Sequence, residues 1–333
     1  MKSFENICRM TQDEVKDYMK KYLKCKKYDV IDEDGFLYAK GTIPVLLVAH
    51  MDTVHKERCK EIVYENGKIS SPQGIGGDDR CGVFMIMNLV KQLKCSVLLC
   101  EDEESGCIGA GKFVKATYKD GDETKKYIEN LDVNYMIELD RKGSNDAVFY
   151  SCDNKDFINF VTDATGFKFA YGSVSDISKL MPASKLSAVN LSCGYYNAHT
   201  TSEYVMYDEM MDTIEAAKNL IMEECDGPFE YVAKKYTASS NRFTNSEGNL
   251  YDGYQYYGNF LDVPTKYSNY EDIGLANIAK NDKDLELEVT IYDESYSENV
   301  ILATGETKAE CWMNLFLENP TLCFNDIVDY TWG

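Results

Sequence analysis

Histidine is scarce in this chain, with only three among 333 residues. A side chain used so sparingly is informative where it occurs, because histidine is the commonest protein ligand for zinc-like ions. No C-x-x-C pair occurs among the 12 cysteines, which excludes a zinc ribbon and a thioredoxin-type motif. The first residues, MKSFENICRMTQDEVKDYMKK, lack the apolar core of a signal peptide. No unbroken apolar run approaches the roughly 20 residues that cross a bilayer. Positive charge is also in deficit, 35 Lys and Arg against 56 Asp and Glu, for a net charge of −21. Such a surface repels phosphate backbones and anionic membranes, so neither nucleic acid nor membrane is an expected partner. Its plain role is solubility, with an acidic rim that favours cationic groups such as a free amino terminus.

What is present fits a globular protein: 44% hydrophobic and 27% charged residues, long enough for one large domain and a smaller one. Cys81, Cys95, Cys100, Cys107 and Cys193 sit in apolar or small-residue runs, where free cysteine acts as a small hydrophobe. Taken with a start that does not resemble a signal peptide, a reducing cytoplasm is the expected setting.

Along the chain, Thr11 and Glu14 form a capping-box pattern before an amphipathic helix from Val15 to Leu23. YDVIDEDGFLYAK and EIVYENGKISS, with Asp34-Gly35 and Asn66-Gly67 at their centres, read as hairpins. IPVLLVAH (43–50), CSVLLCED (95–102), VNYMIELD (133–140) and KLSAVNLSCG (185–194) read as strands buried on both faces, with AVFYS (147–151) a further strand. Helices are expected over 80–94, from 109, over 154–165 and over 207–225, and YKDGDETKK reads as a charged loop. Strands alternating with helices predict an α/β fold, a mostly parallel central sheet flanked by helices. Beyond Gly227-Pro228 tyrosine becomes frequent, as in YDGYQYYGNF (251–260), and alternation replaces continuous apolar runs, as in LELEVTIYD (285–293). The expected division is a domain over 1–226 and a small α+β domain over 227–333. A loop-rich stretch at 236–249 joins them, and a helix is expected at 307–320. The tyrosines suit packing on a half-exposed sheet or a recognition surface.

His50 with Asp52, Asp78, Glu103-Glu104, Asp140 and His199 follow the ends of these apolar runs. Parallel sheets bind ligands beyond the carboxyl ends of their strands, so the series falls where such a sheet places a site. Taken singly each has a plainer account: a sheet-edge histidine, a helix N-terminus at Asp78-Asp79, a solvated Glu-Glu pair. Together those accounts leave the ordered recurrence unexplained. His55 reads as a surface histidine near the mouth, with substrate contact the alternative.

AHMDT (49–53), GIGGDDRCG (74–82), EDEESG (101–106), ELD (138–140) and NAHTTSE (197–203) resemble, in order, the motifs of the co-catalytic di-zinc exopeptidases. That superfamily holds zinc aminopeptidases, peptidase T and carboxypeptidase G relatives, and aminoacylases, and the resemblance spans most of residues 43–225. It implies two divalent metal ions, zinc first with cobalt or manganese as alternatives. By the resemblance His50 and Glu104 are terminal ligands, Asp140 and His199 complete the other metal's shell, and Asp78 bridges. Asp79 remains open as the bridging group, and the Asp78-Asp79 peptide bond is often cis in relatives. Glu103 is the implied general base, acting on water that zinc acidifies toward a pKa near 7. Physics supports these roles. A shared carboxylate offsets repulsion between cations about 3.5–4 Å apart, and Asp52 suits a partner for the imidazole's other N–H.

The chain has no room for the lid domain of peptidase T relatives between Asp140 and His199, nor for the β-rich insertion of another branch between Thr53 and Gly77. The layout therefore resembles the compact zinc aminopeptidases, and the case for a lid-mediated dimer weakens, leaving the oligomer open. The leading expectation is an aminopeptidase hydrolysing short peptides. An N-acyl amino acid deacylase is the enzymatic alternative, for which Arg80, Arg141 and Lys142 are candidate carboxylate-binding cations. A binding or assembly protein built on the tyrosine-rich region is the alternative outside catalysis.

Overall fold

The computed structural model describes residues 2–234 and the backbone of strands 285–292, 298–305 and 327–332. Two compact units divide the chain, Met1–Tyr236 and Thr237–Gly333. In the first, the helices are α1 (Lys2–Cys8), α2 (Gln12–Cys25), α3 (Gly77–Leu89), α4 (Ile108–Lys115), α5 (Lys155–Thr165), α6 (Asp176–Ser184) and α7 (Tyr207–Met222). Its strands are β1 (Val30–Glu33), β2 (Phe36–Ala39), β3 (Ile43–His50), β4 (Val63–Glu65), β5 (Lys68–Ser70), β6 (Cys95–Cys100) and β7 (Thr117–Asp120). They continue as β8 (Glu123–Lys126), β9 (Tyr135–Arg141), β10 (Asp146–Val148), β11 (Lys168–Ala170), β12 (Ala188–Ser192), β13 (Tyr195–Tyr196) and β14 (Tyr204–Met206).

Eight strands form the central sheet in the order β1-β2-β6-β3-β9-β12-β10-β11. The inner four run parallel, β6 and β9 on either side of β3 and β12 beside β9. Antiparallel pairs join β1 to β2, β2 to β6 and β10 to β12, so the sheet is mixed toward its flanks. The parallel centre follows from sequence: Val45 to His50, all of β6 and all of β12 are buried, and only a strand covered on both faces reads as unbroken apolar residues. Register pairs His50 with Cys100 and Val48 with Glu138, so the carboxyl ends of β3, β6 and β9 line one edge.

Helix α2 has the full capping box at Thr11 and Glu14 and buries Val15, Met19 and Leu23 at i, i+4 and i+8. Helix α3 is apolar on nearly every side and packs on β3, β9, α1 and α7. It lies close on the sheet at Gly82, where a Cβ would stand 1.9 Å from the Leu139 carbonyl and 2.5 Å from Asp79 Oδ2. That closeness holds the start of α3 against the end of β9. Fully buried Phe4, Phe36, Phe113, Tyr135, Phe149 and Phe157 fill the core, each contributing about 1.5–3 kcal/mol by removal from water.

Two segments depart from the sequence reading, and one helix forms where it gave no element. TYKD and ETKK pair as hairpin β7–β8 around Gly121, where charge and the lack of apolar alternation suggested a loop. Helix α6, where the sequence reading gave no element, holds Pro182, and at its start Ser178 Oγ accepts the Ser175 N–H at 3.1 Å. Residues 228–234 hydrogen-bond to the first unit, through Phe229 N–H to Asn134 O, Tyr231 N–H to Lys185 O and Lys234 N–H to Ser151 O, so that unit runs past the expected boundary at 226. In the second unit, β15 (Leu285–Tyr292) lies between β16 (Glu298–Gly305) and β17 (Ile327–Trp332), antiparallel to both. The expected joining loop at 236–249, the tyrosine cluster at 251–260 and the helix at 307–320 lie outside the described residues.

Replacing Gly82 by alanine is expected to destabilise the protein by about 1–3 kcal/mol or more, because the nearest facing atom is the Leu139 backbone carbonyl. Gly111→Ala on α4, where a Cβ meets only the end of Lys179 at 3.8 Å, is expected to raise stability by about 0.5–1 kcal/mol. Thermal melts of both variants check the contrast, and equal shifts would disprove the close approach.

Candidate metal centre

The carboxyl edge gathers the acidic and histidine side chains from five separate segments. His50 ends β3 and is 1% exposed. Its Nδ1 lies 3.1 Å from Asp52 Oδ1, and its Nε2 lies 3.0 Å from Asp78 Oδ1 and 3.4 Å from Asp140 Oδ1. His199 Nε2 lies 3.2 Å from Asp78 Oδ2 and 3.1 Å from Glu104 Oε2. The two oxygens of Asp78 therefore face the two imidazoles separately. These distances group His50 with Asp140 and His199 with Glu104, whereas the family resemblance had set His50 beside Glu104. Oxygens of Asp78 and Glu104 also fall within 4.8 Å of the His50 nitrogen and of each other, so the two halves adjoin.

Asp78 and Asp79 are joined by a cis peptide bond, and their carboxylates do different work. Asp79 is fully buried, accepting the His50 N–H at 3.2 Å and the Gly82 N–H at 2.8 Å. One of its oxygens is also within reach of His50 and Asp140, but both are engaged by backbone amides. Asp78 is the carboxylate that spans.

Asp52 ties two strand ends. Its oxygens accept the Glu103 and Glu104 N–H groups at 3.0 and 3.1 Å while one faces the His50 ring. Hydrogen bonding to Asp52 orients the ring and leaves Nε2 toward Asp78 and Asp140. Lys179 on α6 closes the same turn from behind, donating to the Gly106 carbonyl at 2.6 Å and the Cys107 carbonyl at 3.2 Å. Glu103 receives the Cys107 thiol at 3.5 Å.

Several positioning groups carry no sequence signal of their own. Asp140 accepts from Ser175 Oγ at 3.1 Å and Tyr195 OH at 3.3 Å, and its N–H donates to Asn190 Oδ1 at 2.9 Å. Buried Glu203 accepts the Gly76 and Asp78 N–H groups and faces His55 Nε2 at 2.8 Å. His55 is thus a partly buried partner of a carboxylate, not a surface residue. Glu203 was legible only as the last residue of NAHTTSE. Of the cations considered for a substrate carboxylate, Arg80 donates to the Met51 and Met10 carbonyls, Arg141 Nε lies 4.0 Å from Asp146, and Lys142 is exposed.

The electrostatics are those of crowded acids. Burial, then the charge of Asp78, raises the Asp140 carboxyl to about 7. Burial, then Asp140, raises Glu103 to about 8. Burial acts to raise Asp78, but hydrogen bonds to His199 and His50 hold it well below the usual range. Bonds to Asp78 and Glu104 raise His199 to about 10. Burial disfavours a charged His50, yet Asp140, Asp52 and Asp78 together hold its pKa well above the ordinary value.

The donor set fits divalent cations. Tetrahedral zinc takes N and O ligands at about 2.0–2.2 Å, which places the ligand atoms about 3.3–3.6 Å apart. The contacts among the imidazoles and carboxylates run from 3.0 to 3.4 Å. Glu104 Oε1 is buried without a hydrogen-bond partner, a lone pair that protein groups leave unused.

Residues 38–179 match the family described as peptidase family M28. Comparison with curated proteins finds no match. Among solved structures, the chain is similar to aminopeptidase PepT from Bacillus cereus ATCC 10987, at 15% identity and TM-score 0.53, covering 66% of this chain and 96% of that one. It is similar to a tripeptidase from Staphylococcus aureus subsp. aureus Mu50, at 14% and 0.52, covering 66% and 95%. An aminopeptidase from the archaeon Desulfurococcus kamchatkensis matches at 14% and 0.50, covering 67% and 94%. These structures share the fold.

The shifts fix how stability should vary with pH in cation-free protein. In the unfolded chain Asp140 and Glu103 have lost their protons by pH 6 and His199 loses its proton near 6.5, whereas the native chain holds these protons up to about 7, 8 and 10. More protons bound in the native state means stability that falls as pH rises. Chelator-treated protein is expected to melt at a lower temperature at pH 9 than at pH 6, checked by calorimetry. A rising melting temperature over that window would contradict the arrangement.

Proposed function

We propose that this chain, a metallo-exopeptidase carrying a peptidase family M28 domain over residues 38–179, is an aminopeptidase that removes residues from short peptides. The observation that carries the reading is Asp78, one oxygen 3.0 Å from His50 and the other 3.2 Å from His199. His50, Asp140 and Asp78 would hold one divalent ion; His199, Glu104 and Asp78 would hold the second, with zinc favoured and cobalt or manganese able to substitute. When bound, such a pair polarises the scissile carbonyl and acidifies water.

The chain's own groups do the rest. Glu103 sits beside the proposed ligand Glu104, buried among acids that raise its proton affinity. A carboxyl so placed accepts a proton from the attacking water as oxygen adds to the carbonyl carbon. It returns that proton to the nitrogen as the C–N bond breaks, so that the amine leaves neutral. Asp52 holds the backbone of Glu103 and Glu104 and orients His50. The net charge of −21 draws a cationic amino terminus toward the site more readily than a free carboxylate.

The described cysteines are all free, which supports the reading of a reducing, cytoplasmic setting. Among the described residues no helix is long and apolar enough to cross a membrane.

Glu103→Gln is expected to lower kcat on a short-peptide panel by about 10²–10⁴-fold, with the zinc content of the purified protein unchanged. Unchanged turnover would remove Glu103 from the mechanism. In the same assay free-amine peptides should outcompete N-acetylated ones; the opposite preference would make the enzyme a deacylase.

A further inference from the structure

Glu203 is fully buried and uses both carboxylate oxygens inside the protein. Oε1 accepts the Asp78 N–H at 3.0 Å, and Oε2 accepts the Gly76 N–H at 2.8 Å and faces His55 Nε2 at 2.8 Å. Glu203 lies four residues after His199, just before β14, which pairs with β5 and β13. One short segment therefore delivers the second imidazole and also fixes the backbone of the carboxylate shared between both imidazoles. The glycine-rich approach to Asp78 fits around this arrangement. At Gly74, φ is +88°, and a Cβ would stand 2.2 Å from the His55 ring, so no other residue would let that histidine reach Glu203.

We infer that Glu203, oriented by His55, is a positioning residue that sets the bridging carboxylate of Asp78 and thereby couples the occupancy of the two metal positions. The inference rests on the metallopeptidase reading and extends it to a residue outside the ligand set. A carboxylate is required because all three neighbours point N–H groups at it or can do so, and charge-assisted bonds to backbone amides are short and directional. Glutamine in its place turns an NH2 toward at least one of those donors while keeping size and shape. Asp78 then loses its fixed orientation, and both halves of the centre feel it together.

The test titrates chelator-treated full-length protein with Co2+, following calorimetric heat and the visible absorption of the bound ion. Wild type should take up two equivalents. Glu203→Gln should bind both more weakly, by about 10–100-fold, the usual cost of removing a group that supports a ligand. Its kcat should recover toward wild type at saturating Co2+ with KM unchanged, a rescue that a merely destabilised protein would not show. His199→Ala, by contrast, should lose one equivalent outright. Wild-type affinity for both equivalents in Glu203→Gln would overturn the inference. If Glu203→Gln does not fold, His55→Leu carries the test. It leaves Glu203 in place without one donor, so weakened Co2+ binding supports the coupling and unchanged binding overturns it. Wild-type protein that takes up no Co2+ would instead sink the metallopeptidase reading and this inference with it; wild-type affinity for both equivalents in the Glu203 or His55 variant, beside the loss of one in His199→Ala, would sink the inference alone.

Discussion

The carboxyl edge of the sheet depends on the Asp52 carboxylate, which touches the His50 ring and the amides of Glu103 and Glu104 within 3.1 Å. One partly buried anion thus sets a ring on β3 and the direction of a turn leaving β6. These are neighbouring strands, yet Asp52 and Glu103 stand 51 residues apart in the chain. Because the surroundings are dry, each of those bonds is stronger than its counterpart in water, and each would be costly to leave unmade. The same dryness makes the nearby carboxylates repel one another. That repulsion appears as raised proton affinity in Asp140 and Glu103, and it gives a cation reason to settle there.

Legibility in the sequence tracked how strongly a single physical demand acted on a segment. IPVLLVAH and CSVLLCED read clearly because a strand covered on both faces tolerates little but apolar residues, and the chemistry-bearing residues follow such runs. The hairpins around Asp34-Gly35 and Asn66-Gly67 were equally plain, since few residues accept the backbone that tight turns need. Hairpin β7–β8 was not, for its strands are polar and are held by backbone pairing, the Lys125–Asp120 ion pair and Tyr118 stacked on Tyr127. Helix α6 drew no expectation, and it holds Pro182, a residue that seldom sits inside a helix.

Within the candidate site, residue types and order were visible, whereas the partition among them was not. Asp78 and Asp79 are indistinguishable as letters; only the amides of His50 and Gly82 reaching Asp79 separate their duties. Ser175, Asn190 and Tyr195 orient Asp140 from loops and strands distant in sequence, and Glu203 reaches back across 125 residues to the amide of Asp78. Such supporting contacts arise from tertiary packing, with no spacing rule to announce them. His55 misled for the same reason: its solvent or protein surroundings are decided by a partner 148 residues away.

The two halves of the centre also differ in their access to water. The His50 side chain is 1% exposed, whereas that of His199 is 55% exposed. An ion beside His199 can trade ligands with solvent directly, while one beside His50 must wait for its neighbour to depart or for the protein to open. The centre would therefore fill from the inside outward and empty in reverse, giving it a labile outer ion and a slowly exchanging inner one.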